Sequence, residues 1–313
     1  MADAVELEVG DRTVRISNPD RVYFPARGET KLDLARYYLA VGDGIVRALR
    51  HRPCMLHRFP EGVTGEKVHQ KRLPRGAPEW VQTVRVDFPS GRHASELCVT
   101  HVADVVWAVQ MSTVEFHPWN SRRGHVEQPD EWRIDIDPMP KAGFDDVRRV
   151  AAAVHEVLDE LGAVGWPKTS GGKGLHIYVR VEPHWEFPQV RRAAWAFARE
   201  VERRLPDLVD LTWWRRDRDP ASVFVDYNQN ARDHTIRAAY SVRGVAEAVV
   251  STPITWDEIG DVDPQDFTIA TVPDRFARLG DLHAGIEDAV YSLDTLVEWA
   301  DRDDDEAPPT APG

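Results

Sequence analysis

The sequence predicts an α/β (α+β) fold in which helices flank a mixed, mostly antiparallel sheet. Apolar residues recur at helical spacing in four separate stretches, and short strand-like runs lie between them. Strands and helices alternate without the regular strand–helix–strand spacing of a parallel, doubly wound sheet.

The elements follow in order. Thr30 with Asp33 predicts an N-cap, and Leu34, Tyr37, Tyr38, Val41, Ile45 and Leu49 continue one amphipathic helix from it. Thr83–Phe88 and Glu96–Thr100 read as strands, and Pro89-Ser90-Gly91 as the hairpin turn between them. The segment Val102–Met111 reads as a core helix containing Trp107, and Trp132–Asp137 as a strand closed by Pro138. Phe144, Val147, Val150, Ala151, Val154, Val157, Leu158 and Leu161 trace a helix stopped by Gly162. Gly174–Val181 is the next strand. Val190, Ala194, Phe197, Val201 and Leu205 mark a helix that carries Trp195 inward and ends at Pro206. Val223–Tyr227 is the last strand, and Ile286, Val290, Leu293 and Leu296 place the last helix.

With 313 residues, 42% of them hydrophobic and 29% charged, the chain has the composition of a soluble globular protein. The first residues lack a basic region followed by an apolar run, and no stretch reaches the roughly 20 apolar residues of a membrane span. A cytoplasmic protein is the expectation. Cys54 and Cys98 are unpatterned and suit a reducing compartment. No composition shift marks a boundary, so 1–300 reads as a single domain and 301–313 as a disordered acidic, proline-rich tail.

The net charge of −13 counts against a nucleic-acid partner. The tail segment Asp301 to Glu306 holds five acids against Arg302, a net −4, which leaves −9 for the rest. Basic residues cluster at Arg47, Arg50, Arg52 and Arg58, and again at Lys67, Lys71, Arg72 and Arg75. Such patches permit DNA binding without indicating it.

Chemistry is concentrated in three places. Side chains alternate along a strand, so Asp135 and Asp137 share a face, about 6.5–7 Å apart. Two carboxylates so placed repel unless a cation lies between them, or unless both are solvated. Asp226 interrupts an apolar run, as a third metal ligand, a strand-end cap or an arginine's partner. Residues 168 to 179, Lys-Thr-Ser-Gly-Gly-Lys-Gly-Leu-His-Ile-Tyr-Val, form either a phosphate-cradling loop with Ser170 and Lys173 or an ordinary glycine hairpin. They are not a P-loop, because the motif is absent and a strand follows. His176 within that strand is a phosphate contact or a core histidine.

These residues resemble the polymerase domain of bacterial DNA ligase D, within the archaeo-eukaryotic primase superfamily. The resemblance runs from about Ile16 to about residue 290. It is carried by Ser-Asn-Pro-Asp-Arg-Val-Tyr-Phe-Pro, Arg-Pro-Cys-Met-Leu-His-Arg-Phe-Pro-Glu-Gly, Val-Glu-Phe-His-Pro-Trp, Asp-Ile-Asp-Pro, Thr-Ser-Gly-Gly-Lys-Gly-Leu-His, Phe-Val-Asp-Tyr-Asn-Gln-Asn and Ala-Tyr-Ser-Val-Arg. With no ligase domain present, the chain looks like a stand-alone member.

The resemblance implies a primase-polymerase core that adds ribo- or deoxyribonucleotides to DNA 3′ ends, filling gaps or ends in end joining or excision repair. It implies two ions, Mn²⁺ or Mg²⁺, on Asp135, Asp137 and Asp226. His117, Ser170, Lys173, Gln229 and Arg243 would hold the incoming triphosphate. Asn18, Arg21 and Lys31 would grip a 5′-phosphate across a gap. Partners would be gapped or broken DNA, an ATP-dependent ligase and a Ku-type end-binding protein, with no membrane. The rival readings are a metal-dependent phosphodiesterase and a non-catalytic DNA-end module.

Departures from the pattern stand out. Arg21 and His57 occupy places where relatives often have lysine, and Val68 and His69 replace a phenylalanine pair that stacks on bases. An arginine usual shortly before the third aspartate has Arg218 as its nearest counterpart. His117, preceding a proline, is otherwise a turn residue.

Overall fold

The computed structural model describes residues 4–74, 76–88 and 90–303. They form seven α-helices and antiparallel sheets, the class the periodicity predicts. The chain gathers into two compact units that interleave in sequence. One comprises Met1–Val126, Thr235–Pro253 and Asp263–Ala284, and the other Glu127–His234, Ile254–Val262 and Gly285–Gly313. The chain crosses between them without a proline- or glycine-rich linker, which is why composition gives no boundary.

The second unit is built on a four-stranded sheet in the order Gly165–Thr169, Leu175–Arg180, Glu131–Pro138, Val223–Val225. Trp132, Ile134 and Ile136 alternate onto one face. Helix Phe187–Arg204 packs there, with Phe197 meeting Trp132 edge-to-face at 4.7 Å. Helix Phe144–Leu161 buries Val147, Val150, Val154 and Leu158 and ends where predicted, at Gly162 in the left-handed conformation with φ 67°. The opposite face carries Arg133, Asp135 and Asp137, so this sheet divides into an apolar side and a polar side.

The first unit holds a five-stranded antiparallel sheet. Its strand Pro53–Arg58 pairs with Val68–Gln70, with His93–Cys98 and with Thr113–Pro118, while Thr83–Asp87 pairs with His93–Cys98. Thr30 and Asp33 form the expected capping box of helix Lys31–Ala40. The predicted run to Leu49 is two helices. The first ends at Val41, and Gly42-Asp43-Gly44, poor helix formers, open the second, Gly42–Leu49.

Other departures are local. The last helix begins only at Asp294: Val290 is 53% exposed, so the apolar spacing from Ile286 was coincidental. That helix runs through Asp301 and Arg302, and Asp301 pairs with Arg192 at 2.6 Å, so ordered structure passes the expected end at 300. Residues 304–313 of the expected tail, Pro89 of the expected turn and Arg75 of the second basic cluster lie outside the described residues. Trp107 is core as predicted, whereas Trp195 is only half-buried, its ring against Tyr227 at 4.6 Å. Among the described residues no helix is long and apolar enough to cross a membrane.

Truncating Phe197, which is 1% exposed, removes the ring that Trp132 packs on. Phe197→Ala is expected to lower stability by about 3–5 kcal/mol in denaturant titrations, whereas Val290→Ala should stay within about 0.5 kcal/mol.

Candidate active site

Asp135 and Asp137 sit near the end of strand Glu131–Pro138, Asp135 buried and Asp137 half-buried. Strand Val223–Val225 pairs with it antiparallel, Ile136 opposite Val225 and Asp137 opposite Phe224. Past the strand end the pairing gains one more bond: the Asp226 amide donates to the Asp135 carbonyl at 2.7 Å. That bond sets Asp226 beside Asp135, and cross-strand neighbours share a face. The Asp226 carboxylate accepts from the Asn228 amide at 2.9 Å and from Gln229 Nε2 at 2.8 Å. Asp226 therefore caps the turn Tyr227–Asn230, as the strand-end cap reading has it, and also places Gln229.

The glycine-rich segment is a hairpin between strands Gly165–Thr169 and Leu175–Arg180. Ser170 Oγ accepts from the amides of Gly172 and Gly174 at 3.1 and 3.2 Å, closing the loop on itself. Gly174 cannot carry a side chain: a Cβ there would overlap the Ile136 carbonyl oxygen and come within 3.2 Å of Asp137 Oδ1. The loop thus lies directly against the Asp137 end of the strand. Lys173 is exposed on it, and Ser170 is buried. His176, opposite Asp135 in the ladder, places Nε2 3.3 Å from Asp135 Oδ1, and buried Lys168 places Nζ 2.7 Å from His176 Nδ1.

A cavity of about 1150 Å³ opens beside these groups, lined in part by Asp137, Asp226 and Gln229 with Arg191 and Arg218. That exceeds the usual 300–1,000 Å³ of a small-molecule pocket. Arg218 lies over the Phe224 ring at 3.3 Å and donates to the carbonyls of Thr212 and Trp213. Burial pushes its guanidinium below the ordinary value, while Asp226 pulls it back up. An arginine close to the third aspartate is therefore present in space, at Arg218. Arg191, on the neighbouring helix, bonds Asn228 at 2.8 Å and lies over Tyr227. Nothing in the sequence singled out Arg191 or Lys168, because residues on a helix and in a strand reach the site only through tertiary packing.

His117 belongs to a cluster in the first unit. Glu115 Oε2 accepts from His57 Nδ1 at 2.7 Å, His117 Nε2 at 2.8 Å and Arg237 at 3.2 Å, and Oε1 accepts from the Gly244 amide at 2.7 Å. Burial alone would push the Glu115 carboxyl up. The two histidines and Arg237 outweigh it and hold the group well below the usual carboxylate range. His117, pushed down to about 3 above all by burial, is neutral and donates. His57, Glu115 and His117 offer ligand atoms within 4.8 Å of one another, close enough for an ion. His69 stacks on His57 at 4.4 Å, nearly parallel, so a ring does stand where the phenylalanine pair is lost. Arg243 is half-buried, its amide donating to the Val249 carbonyl at 2.8 Å.

Asn18, Arg21 and Lys31 lie together, linked by backbone bonds from the Arg21 amide to Asn18 and from the Lys31 amide to Arg21. Asn18 takes φ 51°, a turn conformation open to asparagine. Lys31 is buried, and its ammonium donates to Ser17 O, Gln110 O and Gln110 Oε1 at 3.1, 2.8 and 3.0 Å. Burial first, then Arg21 and Arg58, pushes it down to about 8. With three oxygens already on its three protons, Lys31 braces the turn. Arg21 is the exposed cation of the set, bonded to the Pro60 carbonyl and 3.6 Å from Glu61.

Comparison with known proteins places the chain in a family. A model of the family "LigD, primase-polymerase domain" matches residues 30–283. The chain is 30% identical over 302 residues to the multifunctional non-homologous end joining protein LigD of Mycolicibacterium smegmatis, covering 96% of this chain and 39% of that protein. It is 34% identical over 268 residues to LigD of Pseudomonas aeruginosa, covering 85% of this chain and 32% of that protein. The chain thus spans between 32% and 39% of the length of these relatives. A solved polymerase domain from Mycobacterium tuberculosis ligase D, in complex with DNA, superposes with a TM-score of 0.81 at 30% identity, covering 88% of this chain and 99% of that one.

Proposed function

Because this chain belongs to the family of LigD primase-polymerase domains, we propose that it is a DNA-directed nucleotidyltransferase that extends DNA 3′ ends in end joining or gap repair. The observation that carries the reading is the gathering of Asp135, Asp137 and Asp226 at one end of one sheet. The donor set fits hard divalent cations, since all three are carboxylates. Asp135, Asp137 and Asp226 would hold two ions, Mn²⁺ or Mg²⁺. When bound, these supply charge neutralisation for the triphosphate and acidify the primer 3′-hydroxyl.

The chain's own groups do the rest. Asp226 is oriented by the Asn228 amide and Gln229, so its carboxylate is set before substrate arrives. Arg191 and Arg218 give the acidic site a cationic wall suited to a nucleic-acid backbone. Ser170 and Lys173 offer a hydroxyl and an ammonium to phosphate oxygens beside Asp137. His117, with its Nε2 proton committed to Glu115, and Arg243 are assigned to the triphosphate, as the family resemblance implies. Asn18 and Arg21, braced by Lys31, are assigned to the 5′-phosphate across a gap. An ATP-dependent ligase, a Ku-type end-binding protein and a cytoplasmic, nucleoid-associated location complete the proposal.

Asp137→Ala is expected to abolish extension of a labelled primer on gapped duplex while leaving DNA affinity within about twofold. Retained extension would remove the metal assignment, and shortening of the primer by wild type without nucleotides would replace polymerisation by hydrolysis. Arg21→Ala should erase the preference for a 5′-phosphorylated over an unphosphorylated gap, a difference of about 1–3 kcal/mol for charge-assisted contacts, and spare a simple primer-template. Equal wild-type affinity for the two gapped duplexes would sink the gap-filling role.

A further inference from the structure

Lys168 and His176 have no part in the chemistry above, yet both are buried beside its carboxylates. Lys168, 0% exposed, stands opposite His176 in one ladder, and His176 stands opposite Asp135 in the next. The three side chains form one row across three strands. Lys168 Nζ lies 2.7 Å from His176 Nδ1, and His176 Nε2 lies 3.3 Å from Asp135 Oδ1.

The row dictates where the imidazole proton lies. An ammonium has only protons to give, so Nδ1 is the acceptor. The ring then carries its proton on Nε2, the nitrogen that faces the carboxylate. Were the proton on Nδ1, it would meet the ammonium, and the bare Nε2 lone pair would face an anionic oxygen. The Tyr178 ring, 5.1 Å from the ammonium, adds a cation–π contact that suits a buried charge.

We propose that Lys168 is a positioning residue that fixes the Nε2–H tautomer of His176, which in turn holds one oxygen of Asp135 and orients the carboxylate for metal. The inference rests on the reading of Asp135 as a metal ligand. Groups that orient a metal's ligands from behind are commonly worth 10–100-fold in metal affinity. The sequence offered Lys168 only as the start of a glycine-rich loop, but the fold buries it and sets its ammonium against the ring.

The test uses the full chain, histidine-selective ¹⁵N NMR and Mn²⁺ binding followed by electron paramagnetic resonance. Wild type should show His176 protonated at Nε2 with a bare Nδ1. Lys168→Met keeps the length of the side chain without its protons; it should lose that signature and bind Mn²⁺ about 10-fold more weakly while its circular dichroism is unchanged. His176→Gln, which retains an amide donor, should bind Mn²⁺ more tightly than His176→Phe. A proton on Nδ1 in wild type would overturn the proposal even if Lys168→Met does not fold. Wild-type Mn²⁺ affinity in a folded Lys168→Met would overturn it as well. Mn²⁺ binding that Asp137→Ala leaves intact would instead overturn the metal reading beneath it.

Discussion

The site depends on one backbone hydrogen bond, from the Asp226 amide to the Asp135 carbonyl. Strand Val223–Val225 is only three residues long, and this bond carries its pairing one position further. The third carboxylate thereby comes alongside the first. The gathering is unfavourable in isolation: two such charges about 6.5 Å apart repel by about 2.5 kcal/mol at an effective dielectric of 20. The fold bears that repulsion by supplying donors to Asp226, from Asn228 and Gln229, and by setting His176 Nε2 3.3 Å from Asp135 Oδ1. What remains is an anionic focus suited to a divalent cation.

The sheet of the second unit makes this possible by separating its two faces. Trp132, Ile134 and Ile136 secure the strand against the helix that carries Phe197, while Arg133, Asp135 and Asp137 alternate to the other side. The polar face is dense in paired charge: Arg133 bonds Glu131 at 2.9 Å, and Arg180 pairs with Asp130 at 3.0 Å and with Glu287 at 2.7 Å. Buried charges of this kind contribute little net stability, but an unpaired one is costly, so they lock the geometry of the strands that bear the carboxylates. The Glu115 cluster applies the same logic in the first unit, where one carboxylate fixes two histidines and Arg237.

Much of this was legible in the sequence because it obeys a period or a local rule. Helix Phe144–Leu161 follows from its apolar spacing and Gly162, and the shared face of Asp135 and Asp137 from strand alternation. Gly174 was visible only as part of a glycine-rich segment and the start of a strand, whereas its necessity comes from the Ile136 carbonyl, a contact no local rule supplies. Arg191 and Arg218 come near Asp226, and Lys168 meets His176 beside Asp135, through pairing register and helix packing. The apolar spacing from Ile286 misled because it joined residues that pack independently. Lys31 read as a phosphate-binding cation by resemblance, and its three oxygen partners reveal a brace. The net charge of −13 was the least informative quantity, since it averages over the local clustering of arginines around the cavity.

The central claim is that the three aspartates, and not the histidine–glutamate cluster, form the catalytic metal centre. Anomalous diffraction at the manganese edge from crystals grown with Mn²⁺ and a non-hydrolysable nucleoside triphosphate tests it most directly. Two peaks are predicted, both within about 2.0–2.6 Å of carboxylate oxygens of Asp135 and Asp137, one of them shared with Asp226. A single peak confined to His57, Glu115 and His117, with none at the aspartates, would contradict it.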